Sequence, residues 1–377
     1  MSHMPTVLPD CLRHSHVCAR FGAGTLDHLG DESVGAGATR VLIVTDRGIV
    51  AAGHVARAEA AIRAAGADVT IFAEVEENPT TEHVAAGVRV ARGAGADFIV
   101  GLGGGSAMDC AKGVNFILTN GGEMRDYWGV GKAARPMLPM IAVPTTAGTG
   151  SEAQSFALIT DPATHQKMAC GDKKALCVCA ILDPDLTRTA PKSVMAATGI
   201  DAVTHAIETS ACNKRNDASR ALSREAWARL SASFVRSIEN PNDDAARADM
   251  LMGAHLAGAA IENSMLGAAH ACANPLTATY GVTHGVAVGL MLPHVIRFNA
   301  ADCANPYADL CEDAADLAHR VEAMLDAVGM PRRLRDLKVD ASALPKLADL
   351  AATQWTAQFN PREVGAPQLL SIYEAAM

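Results

Sequence analysis

The first half of the chain alternates short runs of β-branched residues with alanine-rich helical segments, and this alternation limits the folds open to it. Strands separated by helices form βαβ units, in which the strands lie parallel and helices cover both faces of the sheet. We therefore predict an α/β fold for this half. The strand candidates are 41–46, 69–75, 97–106 and 140–147, and the helical segments are 51–66 and 80–95.

From about residue 190 the pattern changes to long alanine-rich helical segments with no strand runs between them. Apolar residues at helical spacing without strand signals are typical of a helical domain. We predict an α/β domain with a parallel sheet and flanking helices over 1–188, followed by an all-helical domain over 189–377.

Charge and cysteine usage argue against several classes of protein. The formal net charge is −9 and no basic patch is present, which argues against nucleic acid and anionic membrane as partners. No signal-peptide pattern opens the chain, and no apolar run is long enough to cross a bilayer. The ten cysteines form no CxxC pair and are expected to be reduced thiols, so we predict a cytoplasmic protein. The opening "MSHM" resembles a remnant of cloning.

Two polar loops follow strand candidates. "VGLGGGSAMDCAKGV" (100–114) places glycines and Ser106 between a strand and a helix, where free N–H groups suit a pyrophosphate. A tight βα turn explains this motif equally well, and the spacing is not GxGxxG. In "VPTTAGTGSEAQ" (143–154) the hydroxyls either bind a cofactor or cap turns. Two such loops in one half of the chain favour a nucleotide site.

Four residues of the second half suggest a metal site. Asp201 and His205 are four apart, which stacks them on one helical face, although a helix-capping Asp beside a bystander His explains the pair as well. His270 and His284 lie in apolar surroundings where an unpaired imidazole is costly, and breaks at Pro275 and Gly281 would let their rings meet. One carboxylate with three imidazoles suits Fe(II), Zn(II), Mn(II) or Co(II).

Several long motifs, in order along the chain, resemble the iron-containing (group III) alcohol dehydrogenase family: "GGGSAMDCAK", "PTTAGTGSE", "ATGIDAVTHAIE", "HGVAVGLMLPHVIRFN" and "NPRE" (360–363). The resemblance implies a nucleotide-binding α/β domain, a helical domain that binds metal and substrate, and one divalent metal, with Fe(II) expected first. The family's metal ligands fall on Asp201, His205, His270 and His284. His284 is also expected to act in catalysis.

The resemblance also implies cofactor positions. Asp46 falls where the family meets the adenosine ribose, and a carboxylate there repels a 2′-phosphate. NAD is therefore expected in preference to NADP, although Asp46 is also a plausible strand-end turn residue. The other positions that match the family's cofactor contacts are Asn78, Gly104, Gly105, Ser106, Thr145, Thr146, Thr149 and Lys167.

One position departs from the family. Many members carry a second histidine four residues after the third ligand, and this chain has Asn274 there. An amide can orient a substrate oxygen but cannot take up a proton near neutral pH, so Asn274 is predicted either to orient substrate or only to end a helix before Pro275. By resemblance, Phe156 and Ile261 border the substrate pocket.

The predicted activity is hydride transfer between NAD(H) and a small primary alcohol/aldehyde pair, by a homodimer or larger homo-oligomer. A related alternative is an enzyme acting on a polyol or on an anionic aldehyde or alcohol carrying phosphate, phosphonate or sulfonate. The stretches around the ligands are almost uncharged, which favours the neutral substrate. The alternative from another class is a catalytically silent NAD-binding or filament-forming protein.

Overall fold

The structure, a computed structural model, describes residues 8–164, 166–301 and 305–377; the "MSHM" opening lies outside them. The chain forms two compact units. An N-terminal unit contains residues 15–146 and 150–190, and a C-terminal unit contains 9–14, 147–149 and 191–377. Since neither unit is one uninterrupted stretch, the domain boundary placed after residue 188 remains a prediction.

The N-terminal unit is built on a parallel sheet of six strands in the order β1-β9-β6-β4-β2-β3. The strands are β1 (Cys18–Phe21), β2 (Arg40–Val44), β3 (Asp68–Phe72), β4 (Phe98–Gly103), β6 (Met140–Pro144) and β9 (Cys179–Leu182). Each of the four strand candidates coincides with a strand. β1 and β9 were not predicted. Each has only four residues, and β1 includes an arginine, so neither gives a recognisable strand pattern.

Helices cover this sheet on two sides. They are α1 (Leu29–Gly35), α2 (Arg47–Ala51), α3 (His54–Ala64), α4 (Thr81–Ala94) and α5 (Gly105–Asn120). Alternate strand residues such as Val41, Ile43 and Val100 share one buried core with α1 and α3, while α4 and α5 pack against β2 from another side. Residues that alternate along a strand face opposite sides, so helices on both sides bury nearly all of β2 and β4.

A second, three-stranded sheet has the order β5-β8-β7, with β5 (Gly129–Val130), β7 (Phe156–Thr160) and β8 (Lys167–Gly171). β7 and β8 form an antiparallel hairpin. This sheet was not predicted.

The C-terminal unit is helical. It contains α6 (Lys192–Ala211), α7 (Asp217–Glu239), α8 (Asp244–Asn263), α9 (Ala268–Tyr280), α10 (His284–Ala300), α11 (Ala314–Ala327), α12 (Leu344–Ala352) and α13 (Ala366–Ala375). α6 lies at its centre and packs against α7, α8 and α10. The predicted fold class, α/β followed by all-helical, is confirmed. Among the described residues, the helices include none with the length and apolar character needed to cross a membrane.

Candidate active site

Helix α6 carries three polar side chains on one face. Asp201, His205 and Glu208 are spaced by four and three residues, and residues at these spacings lie above one another on a helix. Each is at most 5 % exposed. Such groups are costly to bury unless they have partners, so this face must meet other polar groups.

Two histidines reach this face from the helices that follow. His270 is in the first turn of α9, and His284 is the first residue of α10. Gly281, with φ of 65°, ends α9 as predicted. The expectation that Pro275 also breaks the helix is wrong, because α9 runs through it to Tyr280. A proline removes one backbone donor and often bends a helix without ending it.

The four side chains singled out for a metal come together. Asp201 Oδ1 lies 3.4 Å from His205 Nε2, 3.4 Å from His270 Nε2 and 3.9 Å from His284 Nε2. The His205 and His270 rings stack with centroids 5.0 Å apart. Asp201, His270 and His284 each offer a ligand atom within 4.8 Å of the others. His205 is not in this group of three and joins the cluster through its contact with Asp201.

The geometry of this cluster suits one ion. Among the described residues, Asp201 Oδ1 and His270 Nε2 are buried atoms that no hydrogen bond satisfies, although they are 3.4 Å apart. Two ligand atoms bound tetrahedrally to one ion at metal–nitrogen distance lie about 3.4 Å from each other. The His284 side chain is 33 % exposed, against 8 % for Asp201, so the cluster is open on the His284 side.

Charges within the cluster shift the pKa values of its members. Burial by itself would raise the pKa of Asp201, but the neighbouring His205, His270 and His284 outweigh burial and hold that pKa well below its usual range. Burial would lower the pKa of His270, but the Glu208 and Asp201 carboxylates together outweigh burial and raise that pKa to about 9. Burial lowers the pKa of His205. Asp201 is therefore ionised, the form that binds a cation.

Glu208 is a site residue that the sequence analysis missed. Its Oε2 lies 2.5 Å from His270 Nδ1, and its Oε1 accepts a hydrogen bond of 2.7 Å from the Ala269 N–H. This contact occupies Nδ1 of His270 and leaves Nε2 beside Asp201. A carboxylate on the second ring nitrogen is the usual partner of a metal-binding imidazole. The available signal was the spacing of Glu208, three residues after His205 on the same helical face.

Asn274 lies one helical turn after His270. Its Nδ2 donates to Gln354 Oε1 at 3.0 Å, which orients the amide and leaves its carbonyl oxygen as an acceptor. The alternative that Asn274 only ends a helix is wrong, since α9 continues to Tyr280. A catalytic role for Asn274 stays a prediction.

In the N-terminal unit, Asp46 and the glycine turn, residues 103–106 ("GGGS"), follow neighbouring strands. β2 pairs with β3 on one side and with β4 on the other, so the strand order changes direction between β2 and β4. Asp46 follows β2 and caps α2 by accepting from the Ile49 N–H at 3.0 Å. At the end of β4, a Cβ on Gly103 would lie 3.4 Å from Asp46 Oδ2. Such a switch point is where open α/β sheets bind nucleotides.

Ser106 of the glycine turn is linked by hydrogen bonds to two other predicted cofactor residues, Asn78 and Lys167. α5 begins at Gly105 with Gly104 as its N-cap. The Asn78 N–H donates to Ser106 Oγ at 3.3 Å, and Lys167 Nζ donates to Asn78 Oδ1 at 3.0 Å. Asn78, Ser106 and Lys167 thus form one polar group at the N-terminus of α5.

The second polar loop lies beside the same turn. The Thr145 N–H donates to the Gly103 carbonyl at 2.9 Å, and a Cβ on Gly104 would lie 3.7 Å from Thr146 Oγ1. Within the described part of the chain, Thr146 Oγ1 is a buried hydroxyl that no hydrogen bond satisfies. An added hydrogen-bonding ligand would satisfy it. Thr149 belongs to the C-terminal unit.

Lys112 is a second residue whose role the sequence analysis missed. It is fully buried in α5, and its Nζ donates to the Ser151 carbonyl at 2.6 Å and to the Phe156 carbonyl at 3.0 Å. Ser151 Oγ donates in turn to Asp109 Oδ1 at 2.7 Å. The helix that starts at the glycine turn is thereby linked to the second loop, through Ser151, and to the strand that follows it, through Phe156.

The two predicted pocket residues lie in different units. The Phe156 ring packs over Gly171 on β8, where a Cβ would lie 2.4 Å from the ring. Ile261 is in the last turn of α8 and is 4 % exposed. Their roles as pocket walls stay predictions.

Comparison with known proteins decides the family. Residues 18–184 match the family model described as iron-containing alcohol dehydrogenase, and residues 195–377 match the C-terminal model of the same family. The two matches together span most of the chain. The chain belongs to the iron-containing alcohol dehydrogenase family.

Similar proteins and structures agree. The chain is 35 % identical to alcohol dehydrogenase 4 of Schizosaccharomyces pombe, over 95 % of this chain and 87 % of that protein. It superposes with a TM-score of 0.92 on the crystal structure of a 1,3-propanediol oxidoreductase, at 32 % identity, covering 96 % of this chain and 98 % of that one. It superposes with a TM-score of 0.87 on a sulfoacetaldehyde reductase from Bifidobacterium kashiwanohense in complex with NAD+, at 27 % identity, covering 96 % and 97 %.

These findings confirm the predicted family and the predicted class of activity, metal-dependent oxidoreduction of small alcohols or aldehydes with NAD(H). The silent NAD-binding or filament-forming alternative loses its basis, because the family is one of enzymes.

Proposed function

We propose that the chain oxidises a small primary alcohol to its aldehyde, RCH2OH + NAD+ giving RCHO + NADH + H+, and catalyses the reverse reaction. In this proposal Asp201, His205, His270 and His284 hold one divalent metal. The observation that carries the proposal is the convergence of the Nε2 atoms of the three histidines on Asp201 Oδ1 at 3.4, 3.4 and 3.9 Å.

The cluster fits a metal better than it fits a hydrogen-bonded core. Asp201 Oδ1 and His270 Nε2 are buried and unsatisfied among the described residues, and a buried unsatisfied polar atom costs about 1–3 kcal/mol. One carboxylate and three imidazoles suit Fe(II), Zn(II), Mn(II) and Co(II), and the family favours Fe(II). When bound, the ion supplies Lewis acidity, which lowers the pKa of an alcohol hydroxyl or polarises an aldehyde carbonyl.

The chain's own side chains orient this site. Glu208 accepts from His270 Nδ1 and the Ala269 N–H, so it fixes which nitrogen His270 offers to the ion. Asn274, held by Gln354, offers an amide oxygen to the substrate hydroxyl without taking up a proton. His284 lies on the exposed side of the cluster, the side from which a substrate oxygen would approach a bound ion.

The cofactor proposed is NAD, held in the N-terminal unit. The pyrophosphate suits the N-terminus of α5 at Gly104, Gly105 and Ser106, since free N–H groups and the helix dipole favour an anion. Thr146 Oγ1, beside Gly104, is a hydroxyl that no hydrogen bond satisfies in the described part of the chain. Asp46 lies at the end of β2, where its charge repels a 2′-phosphate. When bound, NAD+ would supply the hydride acceptor for alcohol oxidation.

Neutral alcohols are proposed as substrates, since the polypeptide around the ligands is almost uncharged in "AAHACANPL" and "GVTHGVAVGL". The similarity to a sulfoacetaldehyde reductase keeps an anionic aldehyde as an outcome of the test. The homo-oligomeric state and the cytoplasmic location remain predictions.

The test is NADH formation by the purified protein, stripped of metal and then reloaded with Fe(II) under anaerobic conditions. The panel contains ethanol, 1,2-propanediol and 1,3-propanediol, with reduction of sulfoacetaldehyde measured in the reverse direction. We expect turnover of the neutral alcohols only after Fe(II) is restored. Turnover unaffected by metal removal would contradict the metal role, and turnover of sulfoacetaldehyde alone would contradict the neutral substrate.

A further inference from the structure

The "NPRE" motif at 360–363 is among the motifs that carry the family resemblance, but it supplies none of the proposed metal ligands or cofactor contacts. Asn360, its first residue, is 4 % exposed. The segment of residues 358–362 lies between α12 and α13. It contacts α9, α10 and Asn213, which follows the end of α6; these three helices carry the proposed ligands.

The contact with α9 is a helix cap supplied from outside the helix. The residue before α9 is Gly267, which has no side chain to cap with. Asn360 Oδ1 accepts from the Ala268 N–H at 3.2 Å, and Glu208 Oε1 accepts from the Ala269 N–H at 2.7 Å. Capping oxygens on the first free N–H groups fix the start of a helix. Here that start is two residues before His270.

Gly267 also leaves the space that lets these two capping oxygens come close to the start of α9. A Cβ on Gly267 would lie 3.1 Å from Asn360 Oδ1 and 3.1 Å from Glu208 Oε1. Both distances are closer than ordinary van der Waals contact, so a side chain at this position would push the two capping oxygens away from α9.

The contact with α10 passes through the same amide. Asn360 Nδ2 donates to Asn299 Oδ1 at 2.6 Å, and Asn299 Nδ2 donates back to Asn360 Oδ1 at 3.2 Å. Arg362 donates to the Phe298 carbonyl at 2.8 Å, with its guanidinium 4.0 Å from the Phe298 ring centroid. Two residues of the segment thus hold the C-terminal end of α10, the helix whose first residue is His284.

The contact with α6 is made by backbone carbonyls. Asn213, just past the end of α6, donates its N–H to the Phe359 carbonyl at 2.9 Å and its Nδ2 to the Gln358 carbonyl at 2.8 Å. Helix α6 carries Asp201 and His205. The segment therefore joins the ends of the helices that supply all four proposed ligands.

We infer that Asn360 is a positioning residue for the metal site, which caps the His270 helix with its amide oxygen and ties that helix to the His284 helix with its amide nitrogen. The inference rests on the metal site proposed above. Removing a residue that orients a metal ligand typically lowers the metal affinity tenfold to a hundredfold. We expect a loss of about that size for Asn360→Ala.

The experiment measures the affinity of the metal-stripped protein for Co²⁺ by competition with a chelator. Asn360→Ala removes both functions of the amide. Asn360→Asp keeps an oxygen for the Ala268 N–H and loses the donor to Asn299 Oδ1, so its affinity should fall between wild type and Asn360→Ala. The matched control is Asn216→Ala, which removes the cap that Asn216 provides at the start of α7, a helix that carries no proposed ligand.

Hydrogen exchange at the first turn of α9, without metal, gives a second readout. It should quicken in Asn360→Ala and stay unchanged in Asn216→Ala, while both variants lower the melting temperature. If Asn360→Ala does not fold, Asn360→Asp carries the test and should bind Co²⁺ more weakly than wild type.

Wild-type affinity in both Asn360 variants would overturn the inference, as would an equal loss in Asn216→Ala or an aspartate variant as weak as the alanine variant. Failure of the proposed metal site is distinguishable from these results. It would show as a wild-type protein whose Co²⁺ binding is absent or is unaffected by His270→Ala.

Discussion

Glu208 offers a sharp test of the site, because glutamine has nearly the same shape and lacks the charge. The carboxylate serves two partners, His270 Nδ1 at 2.5 Å and the Ala269 N–H at 2.7 Å. Glutamine has one acceptor oxygen, so Glu208→Gln leaves one of these donors facing an NH2 group. A hydrogen bond to a charged group is worth about 1.5–3 kcal/mol. At about 1.4 kcal/mol per factor of ten, Glu208→Gln should weaken metal binding tenfold to a hundredfold.

The assay compares Co²⁺ affinity of wild type and Glu208→Gln, with Glu225→Gln as the control. The control also removes an ion pair, between Glu225 and Arg229, but both residues lie on α7, a helix that carries no proposed ligand. An unchanged affinity in Glu208→Gln, or an equal loss in Glu225→Gln, would refute the orienting role of Glu208.

Three further predictions concern single side chains. Asp46→Ser keeps an oxygen to cap α2 but removes the charge, so the ratio of kcat/KM for NAD to that for NADP should fall about tenfold or more; an unchanged ratio would place Asp46 away from the ribose. Asn274→Leu should raise KM for the alcohol about threefold to tenfold with unchanged metal content, as loss of one neutral hydrogen bond predicts, and an unchanged KM would exclude substrate contact. Burial, then Arg297 and Arg333, lower the pKa of His294 to about 4. Below about pH 6.5, His294 is protonated in the unfolded chain but stays neutral in the folded chain. The free energy of unfolding therefore falls by about 2 kcal/mol between about pH 6.5 and pH 4, after allowance for partial exposure. Urea unfolding of His294→Gln should show a smaller fall over this range, and an equal fall in the two proteins would contradict this.

Periodicity was enough to predict the sheet and the helical unit, because long patterns average over many residues. β1 and β9 were missed because each is only a few residues long and depends on pairing within the sheet. β1 pairs with β9, and β9 also pairs with β6. The pattern of a four-residue strand does not distinguish it from a loop. Pro275 was misread for a related reason: local propensity disfavours helix at proline, and the packing of α9 overrides it.

The four proposed ligands could be singled out because histidines in apolar surroundings need a partner, and because the family resemblance places its ligands at the same positions. Their binding of a metal stays a prediction. Glu208 and Asn360 could not be found in this way. Their contacts with Ala268, Ala269 and His270 span 61 to 92 residues of sequence, and a polar residue on a helix or in a loop usually faces solvent. Only the folded chain shows that both are buried at the start of α9.

The central claim is that one divalent metal sits among Asp201, His205, His270 and His284. The most direct measurement is an anomalous difference map from crystals of the Fe(II)-loaded protein, collected on both sides of the iron absorption edge. We expect one strong peak within bonding distance of Asp201 Oδ1 and the Nε2 atoms of the three histidines, and no such peak in crystals of His270→Ala. A loaded crystal with no peak between these side chains, or with its peak elsewhere, would contradict a metal at this site.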